Sequence, residues 1–183
     1  KVLRRYVSFS KRMHQTDREE VLEMYLTAMT MSFDPHTSYM SPRSLDNFEI
    51  QMRLELDGIG AALQSIDGYT VVNKIIPGGA AGKDGRLKPE DRIVGVGQGV
   101  NGEIEDVVDM KLSDVVDRIR GKRNTVVRLE VTDKDGLDRR IVEITRAKIE
   151  LKDSEAQKAV FEVGAKPSGA PYKIGVIDLP SFY

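Results

Sequence analysis

Apolar residues fall at helical spacing in the first third of the chain, and in short runs broken by turns after residue 58. In "DREEVLEMYLTAMTMSF", Val21, Leu22, Tyr25, Leu26 and Met29 recur with the period of an amphipathic helix. Asp17 suits the N-cap, and Glu19 and Glu20 favour the first turn. "DPHTSYMSP" ends that pattern, with Pro35 and Pro42 as breakers. Ser41-Pro42 fits an N-cap followed by the first helical position. A second helix is predicted from Pro42 to about Leu54, with Leu45, Phe48, Ile50 and Met52 partly buried.

From Gly58 the texture becomes β. "IGAALQSI", Asp67-Gly68 and "YTVVNKII" form a hairpin signal. "PGGAAGKDGRL" is a turn region with room for a short helix around Ala80, and "DRIVGVG" is a short strand. "NGEIEDVVDMK" reads as a connecting loop, in part helical, and "LSDVVDRIRG" as a helix stopped by Gly121. "TVVRLEVT" and "RRIVEITR" make a second hairpin around Asp135-Gly136. "AKPSGAP" is a Pro/Gly/Ser loop, and "KIGVIDLPSFY" a closing strand. The strands are joined by tight turns rather than long crossovers, which disfavours a parallel sheet. The fold class expected is α+β: a small β-barrel or sandwich with two short helices, flanked by N-terminal helices and C-terminal strands.

Composition narrows the function. The 183 residues carry 40% hydrophobic and 31% charged side chains, as a folded globular chain does. With 28 basic and 29 acidic residues the net charge is -1, so no strong field favours nucleic acid or an anionic membrane. Cysteine is absent, which removes disulfides and thiolate chemistry. No run approaches the ~18 apolar residues of a membrane span. The chain opens on Lys1 without Met or a leader pattern, and we expect a piece of a longer protein.

Catalytic constellations are weak. Gly97, Gly99 and Gly102 spell G-x-G-x-x-G after a strand-like run, but Glu103, Glu105 and Asp106 follow where a pyrophosphate would sit. His14 and His36 lack ligand spacing, so no metal and no cofactor is expected. Asp34, His36 and Ser38 invite a triad, yet triads are assembled from distant segments, and a turn organised by Asp34 and Pro35 is preferred. The acidic pairs Glu19/Glu20 and Glu103/Glu105 read as solvated surface. No catalytic residue is assigned.

The pinch Gly58-Ile59-Gly60-Ala61 is different. Glycine permits φ values that aim successive N–H groups into one anion-binding concavity. The strand Ala62-Leu63-Gln64 follows directly, so an extended peptide could pair beside it with its terminal carboxylate in the concavity. Leu112, Val116 and Ile119 share a helix face and could wall an apolar pocket. Those three could equally fill the core, and Val115 must also be placed.

Together these parts resemble a PDZ domain. "GRLKPEDRIVGVGQG" is similar to that family's Leu-x-x-Gly-Asp-x-Ile pattern, through Leu87, Asp91 and Ile93, with Glu90 where many members have Gly. "GIGA" resembles the bacterial type of loop. "FDPHTSYMSPRSLDNFEIQMRLELDGIGA", "RAKIEL" and "KIGVIDLPSFY" resemble the flanks of that domain in carboxyl-terminal processing peptidases, the tail-specific proteases. The resemblance spans roughly Thr16 to Tyr183. It implies an N-terminal helical segment at 1–56, the PDZ domain at 57–147 and the start of a protease core at 148–183.

It also implies that the domain holds nonpolar C-termini of substrate proteins. The carboxylate would rest on amides of Ile59, Gly60 and Ala61, and Leu112 would sense the ligand for the protein's own protease core. Cleavage in the family uses a Ser nucleophile and a Lys base in downstream motifs, which this chain lacks, so it is expected to bind and not cut. A periplasmic or cell-envelope setting follows from the resemblance, with no membrane contact by this segment. The alternatives are a PDZ scaffold module of a non-protease parent and a nucleotide-binding enzyme using Gly97–Gly102.

Overall fold

A computed structural model describes residues 6–7, 9–10, 13–151 and 155–180. The chain divides into two compact units, residues 1–52 and 53–183.

In the first unit, α1 (Arg18–Met31) starts on a capping box: Asp17 accepts from the Glu20 N–H, and Glu20 accepts from the Asp17 N–H. Helix α2 (Pro42–Arg53) begins at Ser41, whose carbonyl accepts from the Leu45 N–H at 2.8 Å. Between the helices the chain is strapped back to α1, with Thr30 Oγ1 donating to the Thr37 carbonyl and the Tyr39 N–H donating to Thr27 Oγ1. Glu23 gathers the hydroxyls of Ser41 (2.6 Å) and Ser44 (2.9 Å), and the Ser41 bond above all holds its carboxyl below the usual range. The helices predicted from periodicity are present, but their apolar stripes are not buried. Val21, Leu22, Tyr25 and Met29 of α1 are exposed, as are Leu45, Phe48 and Met52 of α2. Periodicity shows that an apolar face exists; it does not supply a partner for it.

The second unit is built on antiparallel strands. A hairpin pairs β2 (Ala61–Ile66) with β3 (Tyr69–Ile75). Its turn has Asp67 and Gly68 both at positive φ (50° and 88°), the type I′ geometry that matches strand twist. Asn73 is an extra residue on β3, a bulge between the pairs Ala62↔Lys74 and Leu63↔Val72. The sheet continues through β4 (Arg92–Gln98), β6 (Val126–Thr132) and β7 (Arg139–Thr145), with β5 (Ile104–Asp106) also pairing β4. Residues 104–106, read as part of a connecting loop, are therefore a strand; β-branched Ile104 pairs with Gly97, where no side chain competes for space. The second hairpin turns through six residues, in which the Asp133 carboxylate accepts from the Leu137 and Asp138 N–H groups.

A short ribbon pairs β1 (Glu55–Gly58) with β8 (Ala147–Glu150). Helices α3 (Ala80–Asp84) and α4 (Leu112–Ile119) complete the unit's core, where Val72, Ile93, Val115, Val127, Leu129 and Ile144 are almost wholly buried. Each such side chain contributes roughly 1.5–3 kcal/mol of gross burial. A separate hairpin, β9 (Gln157–Val163) with β10 (Tyr172–Asp178), closes through the predicted 165–171 loop. Every residue of these two strands is exposed.

Candidate functional site

Strand β2 ends the sheet order, so among the described residues no strand lies beside its outer edge. Helix α4 lies along β2. The loop Gly58-Ile59-Gly60 sits at the head of that edge, with Ile59 anchored in the core at 3% exposure.

The loop's hydrogen bonds fix where its N–H groups point. The Ile59 carbonyl accepts from the Ala81 N–H (2.7 Å), and the Gly60 carbonyl from the Ile76 N–H (2.9 Å). Both acceptors face the segment that runs from the end of β3 into α3. A trans peptide sends its N–H opposite to its C=O. The N–H groups of Gly60 and Ala61 are therefore turned away from that segment, to the same side, which for Ala61 is the open edge of β2. Gly60 makes this possible with φ +77°. A Cβ there would lie 2.9 Å from the Gly79 Cα and 3.0 Å from Ile149 Cδ1, so the loop rests directly on its support.

Alternation along β2 divides its backbone groups. Val72 commits both its N–H and its C=O to Asp91 and Glu90 across the β3–β4 side. Leu63, paired with Val72, consequently turns its own N–H and C=O to the free edge, while Ala62 and Gln64 use theirs toward β3. Of the three strand residues read from the sequence, Leu63 is the one with backbone groups free to pair.

On α4, Leu112 and Val116 are half-buried, whereas Val115 and Ile119 are core residues at 0% and 3% exposure. Of the three residues read from the sequence as a pocket wall, Leu112 and Val116 are thus partly accessible and Ile119 is not. Arg118 on the same helix holds Glu105 of β5 in a two-pronged pair at 2.9 and 3.1 Å, which keeps the Glu105 carboxyl below its ordinary range. Sequence reasoning passed over Arg123 and Arg146. Arg123 forks onto Asp57, beside the glycine loop, at 2.8 and 3.0 Å. Arg146 is 3% exposed and bonds to the end of α4. Only a fold could bring these residues to partners so far away in sequence.

The other candidates dissolve. Gly97, Gly99 and Gly102 lie on the tight β4–β5 hairpin, not between a strand and a helix, so no helix N-terminus faces them. A Cβ on Gly102 would collide with the Gln98 carbonyl. At His36 the backbone N–H, not the ring, donates to Asp34 (3.1 Å), and Thr37 Oγ1 donates to the same carboxylate (2.5 Å). That is a turn. Among the described residues no group of His, Cys, Asp and Glu is arranged to hold a metal, and no helix is long and apolar enough to cross a membrane.

Comparison with known proteins gives this geometry a context. The family model described as tail specific protease N-terminal domain matches residues 1–43, and the PDZ domain model matches residues 47–132. The whole chain is 42% identical to the tail-specific protease of Haemophilus influenzae, of which it covers 25%. Over 118 residues, 64% of the chain, it is 32% identical to the carboxy-terminal processing protease CtpA of Bacillus subtilis, covering 24% of that protein. The chain thus spans about a quarter of the length of these curated relatives.

A crystal structure of the PDZ domain of a carboxy-terminal protease from Vibrio cholerae, in complex with peptide, matches 54% of the chain and 100% of that domain. Its identity is 42% and its TM-score 0.50. The photosystem II D1 C-terminal processing protease matches 89% of the chain and 42% of its own, at 21% identity and TM-score 0.52, and shows the fold.

Proposed function

Because the chain belongs to the tail-specific, or carboxyl-terminal processing, protease family and carries that family's PDZ domain, we propose that it captures the C-terminal end of a polypeptide in the groove between β2 and α4. The observation that carries the reading is the direction of the Gly60 and Ala61 N–H groups at the head of an unpaired strand edge.

In this reading the terminal carboxylate rests on the amides of Ile59, Gly60 and Ala61, with Gly58 giving the loop room. The peptide adds a strand to β2 through Leu63. Its last side chain enters between Leu112 and Val116, with Ile119 at the floor. Charge-assisted bonds from oriented N–H groups select a free terminus over an internal segment. One apolar pocket adds about 1.5–3 kcal/mol of gross burial, much of it offset by ordering. A roughly micromolar affinity follows, about -8 kcal/mol. Such weak capture suits delivery of many different tails to a protease core that the longer relatives would supply, in a periplasmic or cell-envelope setting. The chain itself binds and does not cut.

The test is fluorescence anisotropy with a labelled peptide ending in small apolar residues. Binding should require the free carboxylate and should be lost in Leu112→Asp. Equal binding of the amidated peptide would overturn the carboxylate role, and unchanged binding by Leu112→Asp would move the pocket elsewhere.

A further inference from the structure

Arg146 is the single residue between β7 and β8. It is 3% exposed, and its guanidinium makes five hydrogen bonds, all to neutral acceptors. Nε donates to the Ile119 carbonyl (2.8 Å) and Nη2 to the Arg118 carbonyl (3.0 Å), at the end of α4, where the Arg118 carbonyl also accepts from Gln98 Nε2 (2.7 Å). Nη2 also reaches Gln98 Oε1 (2.7 Å), while Nη1 bonds Thr125 Oγ1 (2.9 Å) and, longer, the Val126 carbonyl (3.4 Å). A buried arginine held only for stability would ordinarily face a carboxylate. Here the charge meets the negative end of a helix instead. Gly121 leaves the space: a Cβ there would lie 3.0 Å from the Arg146 Nε and Cζ.

The main chain of the same residue is fixed independently. Its N–H donates to the Thr125 carbonyl (2.8 Å), and its carbonyl accepts from the Asn124 N–H (2.9 Å). The next residue, Ala147, pairs with Gly58, and Ile149 of β8 packs under Gly60. The end of α4 and the support of the glycine loop thus meet at one side chain and its immediate neighbour.

We propose that Arg146 is a positioning residue for peptide capture: it clamps the C-terminal turn of α4 to the β1–β8 ribbon that carries the carboxylate loop, and so sets the spacing between pocket and loop. The proposal rests on the groove reading above. Lysine cannot replace it, since one ammonium offers three donors from a point rather than five in a plane.

The experiment measures the affinity of the free-carboxylate peptide for the whole chain, alongside amide resonances of Gly60 and Ala61 and hydrogen exchange at the Arg120 amide, which bonds Val116. The variants are Arg146→Lys, Thr125→Val, and Val142→Ala as a destabilised control in the core of β7. All are compared at a temperature where each is folded. Arg146→Lys should weaken binding at least tenfold, shift both loop resonances and speed exchange at Arg120. Thr125→Val, which removes an Arg146 acceptor that makes no bond to α4, should do the same more weakly, and stands in if the lysine variant does not fold. Val142→Ala should bind within twofold of wild type.

A folded Arg146→Lys protein that binds within twofold of wild type would overturn the proposal. So would an equal loss in Val142→Ala, since the effect would then be general destabilisation. If the wild type itself ignores the peptide, the capture reading fails. The clamp is then judged by the resonances and exchange alone, and their constancy in Arg146→Lys would overturn it separately.

Discussion

Glu90 occupies a conformation that suits glycine. Its φ is +73°, and its N–H is bonded to the Val72 carbonyl at 2.8 Å, so the turn before β4 cannot relax without losing that bond. A side chain in this region costs roughly 1–2 kcal/mol, partly offset by glycine's larger loss of freedom on folding. Glu90→Gly should therefore raise stability by about 0.5–1 kcal/mol, read as an increase in the thermal midpoint. Gly60, also left-handed, marks the opposite case. Gly60→Ala meets both the strained φ and the Gly79 backbone, and should lower stability by about 2 kcal/mol or more. It should also weaken binding of the free-carboxylate peptide. A neutral melt for Gly60→Ala would show that the loop lifts off its support easily, and would remove the argument that its N–H groups are held in place.

At the scale of elements, the last turn of α4 is held twice, by Arg146 on its terminal carbonyls and by the Arg118–Glu105 pair across to β5. The folded state lowers the Glu105 carboxyl through the Arg118 hydrogen bonds. The folded protein therefore binds fewer protons there than the unfolded chain. The stabilisation is present above the ordinary glutamate range and is lost as pH falls through the lowered value. Glu105→Gln should reduce the thermal midpoint slightly at neutral pH, and the gap to wild type should close in acid; an open pair of this kind has a small effect that salt screens further. A gap independent of pH would mean that the carboxylate charge is not what matters.

These elements also mark what the sequence could say. Alternation and the Asp67-Gly68 turn made the β2–β3 hairpin legible, and the Gly-Ile-Gly spacing pointed to the loop. The division between Val115 and Val116 was not legible. Adjacent β-branched residues look alike in sequence, and only the sheet beneath α4 decides which one is swallowed. Nor was β5, whose three residues form a strand only because β4 offers them an edge. Arg146 had no local signal at all, since its acceptors lie 20 to 48 positions away.

Taken as a whole, the chain distributes its apolar side chains unevenly. The sheet and its two helices enclose a core, whereas β9 and β10 hold Val160, Phe161, Val163, Tyr172, Ile174, Val176 and Ile177 in the open. A lone two-stranded ribbon is marginal in water, because its ladder must offset the ordering entropy without help from burial. The amides of β9 and β10 should accordingly exchange with solvent orders of magnitude faster than those of β4 and β6, which open only with the core. The same exposed residues give the ribbon an apolar surface that water disfavours. Sedimentation velocity should show self-association that rises with concentration and falls in a Phe161→Ser, Ile174→Ser double variant, whose register places the two residues opposite each other. Slow exchange in the ribbon of a strictly monomeric wild-type chain would contradict both expectations, because the stability of β9–β10 would then have to come from the two strands alone.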